Sequence, residues 1–274
     1  MSLLFTPIVS DSFYMKKPLF TVTYVQFDVI WENKSRNLSN LDQLLSAITR
    51  NPDIILLPEM FNTGFSMHTS ELAETEEGET VRWMVRQAES TGAVLMGSMI
   101  TASGNGYVNR LWVIFPDGTR RYYDKRHLFG LEEEHEFFQP GDKQLVFSWQ
   151  GWKIMPLICY DLRFPVWSRN TMGYDLLTFH ASWPSARINA WETLLKVRAI
   201  ENQSYVIGVN RVGKDGNGLV YNGASQAIDP LGKPIDRAGN DKTELRTIEL
   251  SAGYQATIRN EYPFLRDGDS FTLH

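Results

Sequence analysis

Apolar and polar residues alternate along Phe20–Asp28 with the period of two expected of a strand, and the period then changes. Within Asn33–Arg50, Leu38, Leu41, Leu44, Leu45 and Ile48 recur at helical spacing. Ile54–Leu57 is a continuous apolar run stopped by Pro58, the pattern of a strand covered on both faces. Thr80–Thr91 reads as a helix closed by Gly92, and Ala93–Ile100 as the next strand.

Beyond residue 100 strands dominate. Tyr107–Phe115 and Thr119–Lys125 flank Pro116-Asp117-Gly118 as a hairpin, and Leu145–Trp149 and Trp152–Tyr160 flank Gln150-Gly151. Leu176–His180 and Tyr205–Asn210 read as strands around a helix at Ile188–Asn202. Ala224–Asp229 and Glu244–Leu250 bracket the turn Pro230-Leu231-Gly232. No repeat or linker-like tract interrupts the chain. The pattern predicts one α/β domain with two sheets packed together, although periodicity alone does not separate this from a doubly wound sheet.

Composition narrows the function classes. The 274 residues include 15 Phe, 11 Tyr and 8 Trp, enough aromatic bulk for a large core and a shaped pocket. A net charge of −5 with no basic run argues against nucleic acid as a partner. No stretch approaches the roughly 18 apolar residues of a membrane span. The single cysteine, Cys159, cannot form an internal disulfide or a cysteine-rich zinc site, and it suits a reducing, cytoplasmic compartment. The basic pair Lys16-Lys17 follows the first apolar stretch, the reverse of a secretory signal. Residues 1–14 are read as an N-terminal extension and 15–274 as a single domain.

Three strand ends carry groups suited to chemistry: Glu59 after Ile54–Pro58, Lys125 after Tyr122-Tyr123-Asp124, and Cys159 after Ile154–Ile158. Singly, each has an ordinary explanation as a solvated charge or a core thiol. Around Cys159, however, Arg163-Phe164-Pro165 suggests a strand, nucleophile, sharp turn and helix, with Pro165 in the helix's first turn. Backbone N–H groups at such a turn can receive a developing oxyanion.

These segments carry a resemblance. Leu57-Pro58-Glu59-Met60-Phe61, Asp124-Lys125-Arg126-His127-Leu128-Phe129 and Ile158-Cys159-Tyr160-Asp161-Leu162-Arg163-Phe164-Pro165 resemble the Glu, Lys and Cys blocks of the nitrilase (carbon–nitrogen hydrolase) superfamily, in the same order. The similarity runs from about residue 20 to 250. It implies a four-layer αββα sandwich, two packed sheets with helices on both outer faces. It also implies a cysteine nucleophile at Cys159, a proton carrier at Glu59 and an ammonium at Lys125. A second glutamate is expected within Glu132-Glu133-Glu134-His135, and the spacing to Pro140-Gly141 favours Glu134. The Tyr160 N–H would share the oxyanion with Lys125, and a thioester would form with no metal or organic cofactor.

Within the superfamily, Ala181-Ser182-Trp183-Pro184, Arg198–Gln203, Asn210–Gly213 and Asp215–Gly218 are similar to the omega-amidase branch. The implied substrate is a small amide such as 2-oxoglutaramate, and the implied assembly a homodimer or larger homo-oligomer. Helices after Cys159 and around Ile188–Asn202 are expected near its interface. Arg187 is the candidate for the substrate's distal carboxylate, Arg163 is expected as an ion pair beside Asp161, and Trp183, Phe61 and Phe65 are candidate pocket walls. N-carbamoyl hydrolysis, nitrile hydrolysis and deaminated glutathione deamidation would use the same three residues. A Cys–His hydrolase pairing Cys159 with His127, His135 or His180, or a non-catalytic module on this fold, are the readings from other classes.

Overall fold

The computed structural model describes residues 16–273; the proposed extension at 1–14 lies outside them. Two six-stranded mixed sheets face each other. The first runs Glu244–Ser251, Leu19–Gln26, Ile54–Leu56, Val94–Ser103, Gly106–Ile114, Arg120–Asp124 from edge to edge. The second runs Pro234–Arg237, Gln226–Ile228, Tyr205–Asn210, Leu176–Ala181, Trp152–Ile158, Phe147–Trp149. Each has a parallel centre of three strands with antiparallel strands outside it.

Side-chain alternation divides the layers. Phe20, Val22, Tyr24, Ile54 and Leu56 face the second sheet, where Phe20 stacks on Trp152 at 5.1 Å and Trp152 meets Tyr205 at 6.0 Å. The intervening residues Val25, Ile55, Leu57 and Leu95 face outward, under the helices Lys34–Ser46 and Glu79–Thr91, which supply Leu38, Leu41, Trp83 and Met84. On the far side, Trp191 and Leu195 of the helix Ile188–Asn202 press directly onto Gly208. A Cβ there would sit 2.5 Å from Leu195 Cδ1, so glycine is what permits this close approach. The result is the expected helix–sheet–sheet–helix stack.

Two expectations change, and one helix went unread. Gln226–Ile228 pairs with Pro234–Arg237 across the Pro230-Leu231-Gly232 turn, while Glu244–Ser251 joins the first sheet beside Leu19–Gln26. The latter strand therefore ties the sheets through the chain instead of completing a hairpin. No α-helix follows Pro165: Cys159–Arg163 is a 3-10 turn, and the chain then runs through turns to Leu176. A helix at Ala252–Glu261, unread in the sequence, binds the second sheet's end through Gln255 Nε2 to the Asp175 carbonyl at 2.8 Å. Among the described residues no helix is long and apolar enough to cross a membrane.

Topology decides where the chemistry collects. Glu59 and Cys159 follow the carboxyl ends of parallel strands, the usual location of sites in open α/β sheets. Lys125 follows an edge strand, two antiparallel steps from Val94–Ser103, so its carboxyl end points the same way.

Candidate active site

At the centre lies a buried ionic cluster. Lys125 Nζ is 2.9 Å from Glu59 Oε1, 3.0 Å from Glu134 Oε1 and 2.9 Å from Glu134 Oε2. Glu59 also accepts from Asn109 Nδ2 at 2.9 Å, and its other oxygen accepts the Ser182 backbone N–H at 2.9 Å. All five of these side chains are buried. Cys159 lines the same pocket as Glu59 and Lys125, so the three strand-end groups converge.

Each member is held by its own local structure. Met60, with φ 45°, turns the chain sharply after Glu59. Ser182 lies two residues beyond His180, whose Nδ1–H donates to the Leu57 carbonyl at 2.6 Å. Consecutive inward positions of one strand end thus bind the Glu59 segment of the opposite sheet. Glu133 adopts a left-handed conformation (φ 52°), separating three adjacent glutamates: Glu133 is exposed, Glu134 is buried on Lys125, and Glu132 faces the pocket. Glu134 Oε2 also accepts the Phe129 N–H at 2.6 Å. Gly141 closes this loop by donating to the Lys125 carbonyl at 2.8 Å, and a Cβ on it would lie 2.1 Å from the Asp124 carbonyl oxygen.

Asp161 joins the lysine and cysteine segments. Its Oδ2 accepts from the Ile158 N–H at 3.0 Å and the Tyr123 hydroxyl at 2.8 Å; its Oδ1 accepts from the His127 N–H at 3.0 Å and lies 2.8 Å from His127 Nδ1. One carboxylate therefore fastens both flanks of Lys125 to the residue before Cys159. Cys159 itself sits at φ 41°, a strained conformation for a non-glycine residue, at the start of the 3-10 turn. The first N–H groups of that turn, Tyr160's among them, have no acceptor within it.

Electrostatics follow from burial and charge. Burial pushes the Cys159 thiol well above its ordinary range and the Glu59 charge adds to this, with Lys125 opposing. Burial alone would lower the Lys125 pKa, but Glu134, Glu59 and Cys159 together hold it above the ordinary lysine value. For Glu134, burial raises the pKa against the pull of Lys125.

Above this floor opens a small pocket. Its wall includes Phe65, whose ring centroid lies 5.0 Å from Lys125 Nζ, and Tyr160, edge-on to Phe129 at 5.0 Å. Three charged side chains also line it: Arg163 over the Trp183 ring at 4.9 Å, Arg187 over the Phe129 ring at 5.1 Å, and Glu132. A charged floor under an aromatic wall is suited to holding a small polar acyl compound against a nucleophile.

A sequence model described as carbon-nitrogen hydrolase matches residues 21–260. The chain belongs to the carbon–nitrogen hydrolase family. It is 41% identical over 256 residues to Omega-amidase YafV of Escherichia coli (strain K12), covering 93% of this chain and 99% of that protein. It is 30% identical to 2-oxoglutaramate amidase of Bacillus subtilis (strain 168), with 90% and 97% covered. The crystal structure of XC1258 from Xanthomonas campestris, a CN-hydrolase superfamily protein with an arsenic adduct in its active site, superposes with a TM-score of 0.91 at 41% identity, covering 93% and 99% of the two chains.

Most expected site residues meet here, and two do not behave as expected. Phe61 lies outside the pocket. The turn at Met60 sends its ring behind the sheet, onto the face of Gly97 and 5.9 Å from Trp83. Arg163 forms no ion pair with Asp161, whose oxygens are taken by Tyr123, His127 and Ile158; its guanidinium turns to Trp183. None of His127, His135 and His180 lines the pocket, which removes the Cys–His arrangement. Asn109 and Ser182 went unread. Asn109's signal was available: it shares a strand face with Leu111, where a polar residue requires a partner.

Proposed function

We propose that this hydrolase is an omega-amidase, cleaving the terminal amide of a small α-keto dicarboxylic monoamide, with 2-oxoglutaramate the leading substrate. The carrying observation is the buried convergence of Glu59, Lys125 and Cys159 beneath a wall bearing two guanidiniums that have no carboxylate partner among the described residues. The names of the relatives at 41% and 30% identity support the same substrate class.

In this chemistry Cys159 Sγ attacks the amide carbonyl while its proton passes to Glu59. A buried thiol with a raised pKa cannot rely on ionising into solvent, so an adjacent carboxylate acceptor is needed. Lys125 and the Tyr160 N–H stabilise the tetrahedral oxyanion, a contribution of ~10²–10³ in turnover per donor. The C–N bond then breaks, Glu59 returns its proton to the leaving nitrogen, and ammonia departs from an acyl thioester. Water, deprotonated by Glu59, adds to the thioester carbonyl; the C–S bond breaks and the sulfur recovers the proton as the acid leaves. Glu134 fixes the lysine, and Arg187 receives the distal carboxylate as a charge-assisted pair.

Residues 15–274 act as one domain in this proposal. A catalytic thiol favours a reducing cytoplasm, and the exposed Val197 and Ile200 on the helix Ile188–Asn202 support a homodimer face. The test compares kcat/KM for 2-oxoglutaramate, glutamine and an N-carbamoyl amino acid by ammonia release. Preference for an omega-amide is expected; a clear preference for the carbamoyl compound would overturn the substrate assignment.

A further inference from the structure

Where the second sheet ends, a side chain takes over from the backbone. The parallel strands Leu176–Ala181 and Tyr205–Asn210 share a last rung at Ala181 and Asn210. Beyond it the chain turns away through residues 182–187, yet Trp183 is bonded as though the ladder continued. Its N–H donates to Asn210 Oδ1 at 2.8 Å, and its carbonyl accepts from Asn210 Nδ2 at 3.0 Å. The same carboxamide accepts the Arg211 N–H at 3.0 Å and donates to the Gly223 carbonyl at 2.8 Å. Asn210 is wholly buried, and its two accepted and two donated bonds match what a carboxamide offers. A flipped amide would turn its oxygen on two carbonyls and its nitrogen on two N–H groups, so the pattern admits one orientation.

Trp183 and Gly223 belong to two separate stretches of pocket wall. Trp183 lines the pocket, with the Arg163 guanidinium 4.9 Å from its ring and its indole N–H on the Arg187 carbonyl at 2.9 Å. The place of its main chain therefore bears on both guanidiniums. Gly223 follows the hairpin of Val212–Lys214 and Val220–Asn222, and Leu219 and Tyr221 of that hairpin line the pocket as well. Ser185 Oγ, donating to the Val220 carbonyl at 2.5 Å, is a second bond across the same seam. The floor has its own hold on this region: Ser182 reaches Glu59 through its N–H to Oε2 at 2.9 Å and its Oγ to the Glu59 carbonyl at 3.2 Å. Resting on the omega-amidase reading above, we propose that Asn210 is a positioning residue for substrate binding. It clamps residues 183–187 to the hairpin and so sets the spacing of the pocket wall, without touching the substrate. Its loss loosens the wall and leaves the floor in place.

The experiment measures kcat and KM for 2-oxoglutaramate by ammonia release, with urea midpoints alongside, in the native enzyme, Asn210→Ala, Asn210→Asp and Ser225→Ala. Asn210→Asp keeps the shape and the two accepted bonds but loses both donated ones. Ser225 is the structural control. Its hydroxyl accepts the Asn210 N–H at 2.9 Å and donates to the Asn210 carbonyl at 3.2 Å, so Ser225→Ala loosens the same residue and spares its carboxamide. In both Asn210 variants KM is expected to rise at least about tenfold, the scale of one or two hydrogen bonds, while kcat falls by less than about threefold. Ser225→Ala should lower the midpoint and leave KM within about twofold of native. A merely structural loss shrinks the active fraction, which lowers kcat and does not move KM. An unchanged KM in a folded Asn210 variant, a rise as large in Ser225→Ala, or failure of both Asn210 variants to fold overturns the clamp. A native enzyme that prefers the N-carbamoyl amino acid sinks the omega-amidase reading alone, and the same comparison of KM is then made with that compound. Release from neither compound overturns both.

Discussion

On the pocket floor, Lys125, Glu59, Glu134 and Asn109 hydrogen-bond to one another; on its wall, Arg163 and Arg187 lie over aromatic rings and, like Glu132, have no charged partner among the described residues. The floor is buried and closed, so its geometry exists before substrate arrives. The wall holds its guanidiniums by stacking, which leaves their N–H edges available. In the proposed reaction, chemistry that is the same for every amide is prebuilt in the first region, and discrimination is left to the unpaired charges of the second.

The sharpest way to separate the regions is to remove the proposed nucleophile. Cys159→Ala is expected to abolish ammonia release while the urea unfolding midpoint stays close to native, because a small thiol contributes little packing. Loss of the fold would mean that the floor depends on its sulfur. Lys125→Ala should damage both properties, since it leaves two buried carboxylates without their shared cation. Turnover should be lost and stability should fall by about 3–5 kcal/mol, measured by denaturant titration at neutral pH. A stability change below 1 kcal/mol would contradict the tightly coupled floor.

A third expectation concerns His180, which ties the floor's glutamate segment to the opposite sheet. Burial lowers its pKa to about 4, opposed by its bond to the Leu57 carbonyl. The unfolded chain therefore binds a proton, near pH 6.5, that the native state refuses. Stability from this residue is complete above pH 6.5, falls as pH drops from there to about 4, and levels off below. The total is roughly 3 kcal/mol. Urea titrations at pH 7.5 and 5 should show the difference, and His180→Asn should flatten it. The smallest effect belongs to the wall: Arg187→Ala is expected to weaken substrate binding by about 10- to 150-fold, or roughly 1.5–3 kcal/mol. Stability there should move by no more than about 0.5 kcal/mol. Its readout is KM against kcat, and an equal loss of stability would erase the contrast between floor and wall.

Legibility in the sequence divided along the same line. Glu59, Lys125 and Cys159 stood out as strand-end groups, but the resemblance of their flanking segments to the family's Glu, Lys and Cys blocks singled them out; the same resemblance implied a second glutamate, and the spacing to Pro140-Gly141 favoured Glu134. Phe61 and Arg163 were misplaced because single backbone angles decide which way such residues face. Met60 at φ 45° and Cys159 at φ 41° reverse the chain where no glycine marks the reversal. The missing helix after Pro165 has a related cause, since Cys159–Arg163 already spends the turn as a 3-10 segment. The destination of Glu244–Ser251 depended on a partner more than two hundred residues earlier, beyond the reach of local periodicity.

Lys125 has three N–H bonds, and in the resting site the two glutamates present three oxygen contacts for them. In the proposed chemistry this makes the site an interlock. An amide that merely drifts in finds the ammonium occupied and gains nothing from it. Once Glu59 takes the thiol proton it becomes neutral, its grip on the ammonium slackens, and one N–H is released at the moment the carbonyl oxygen acquires charge. Proton uptake on one side of the carbon and charge capture on the other are thereby timed to each other by a single shared hydrogen.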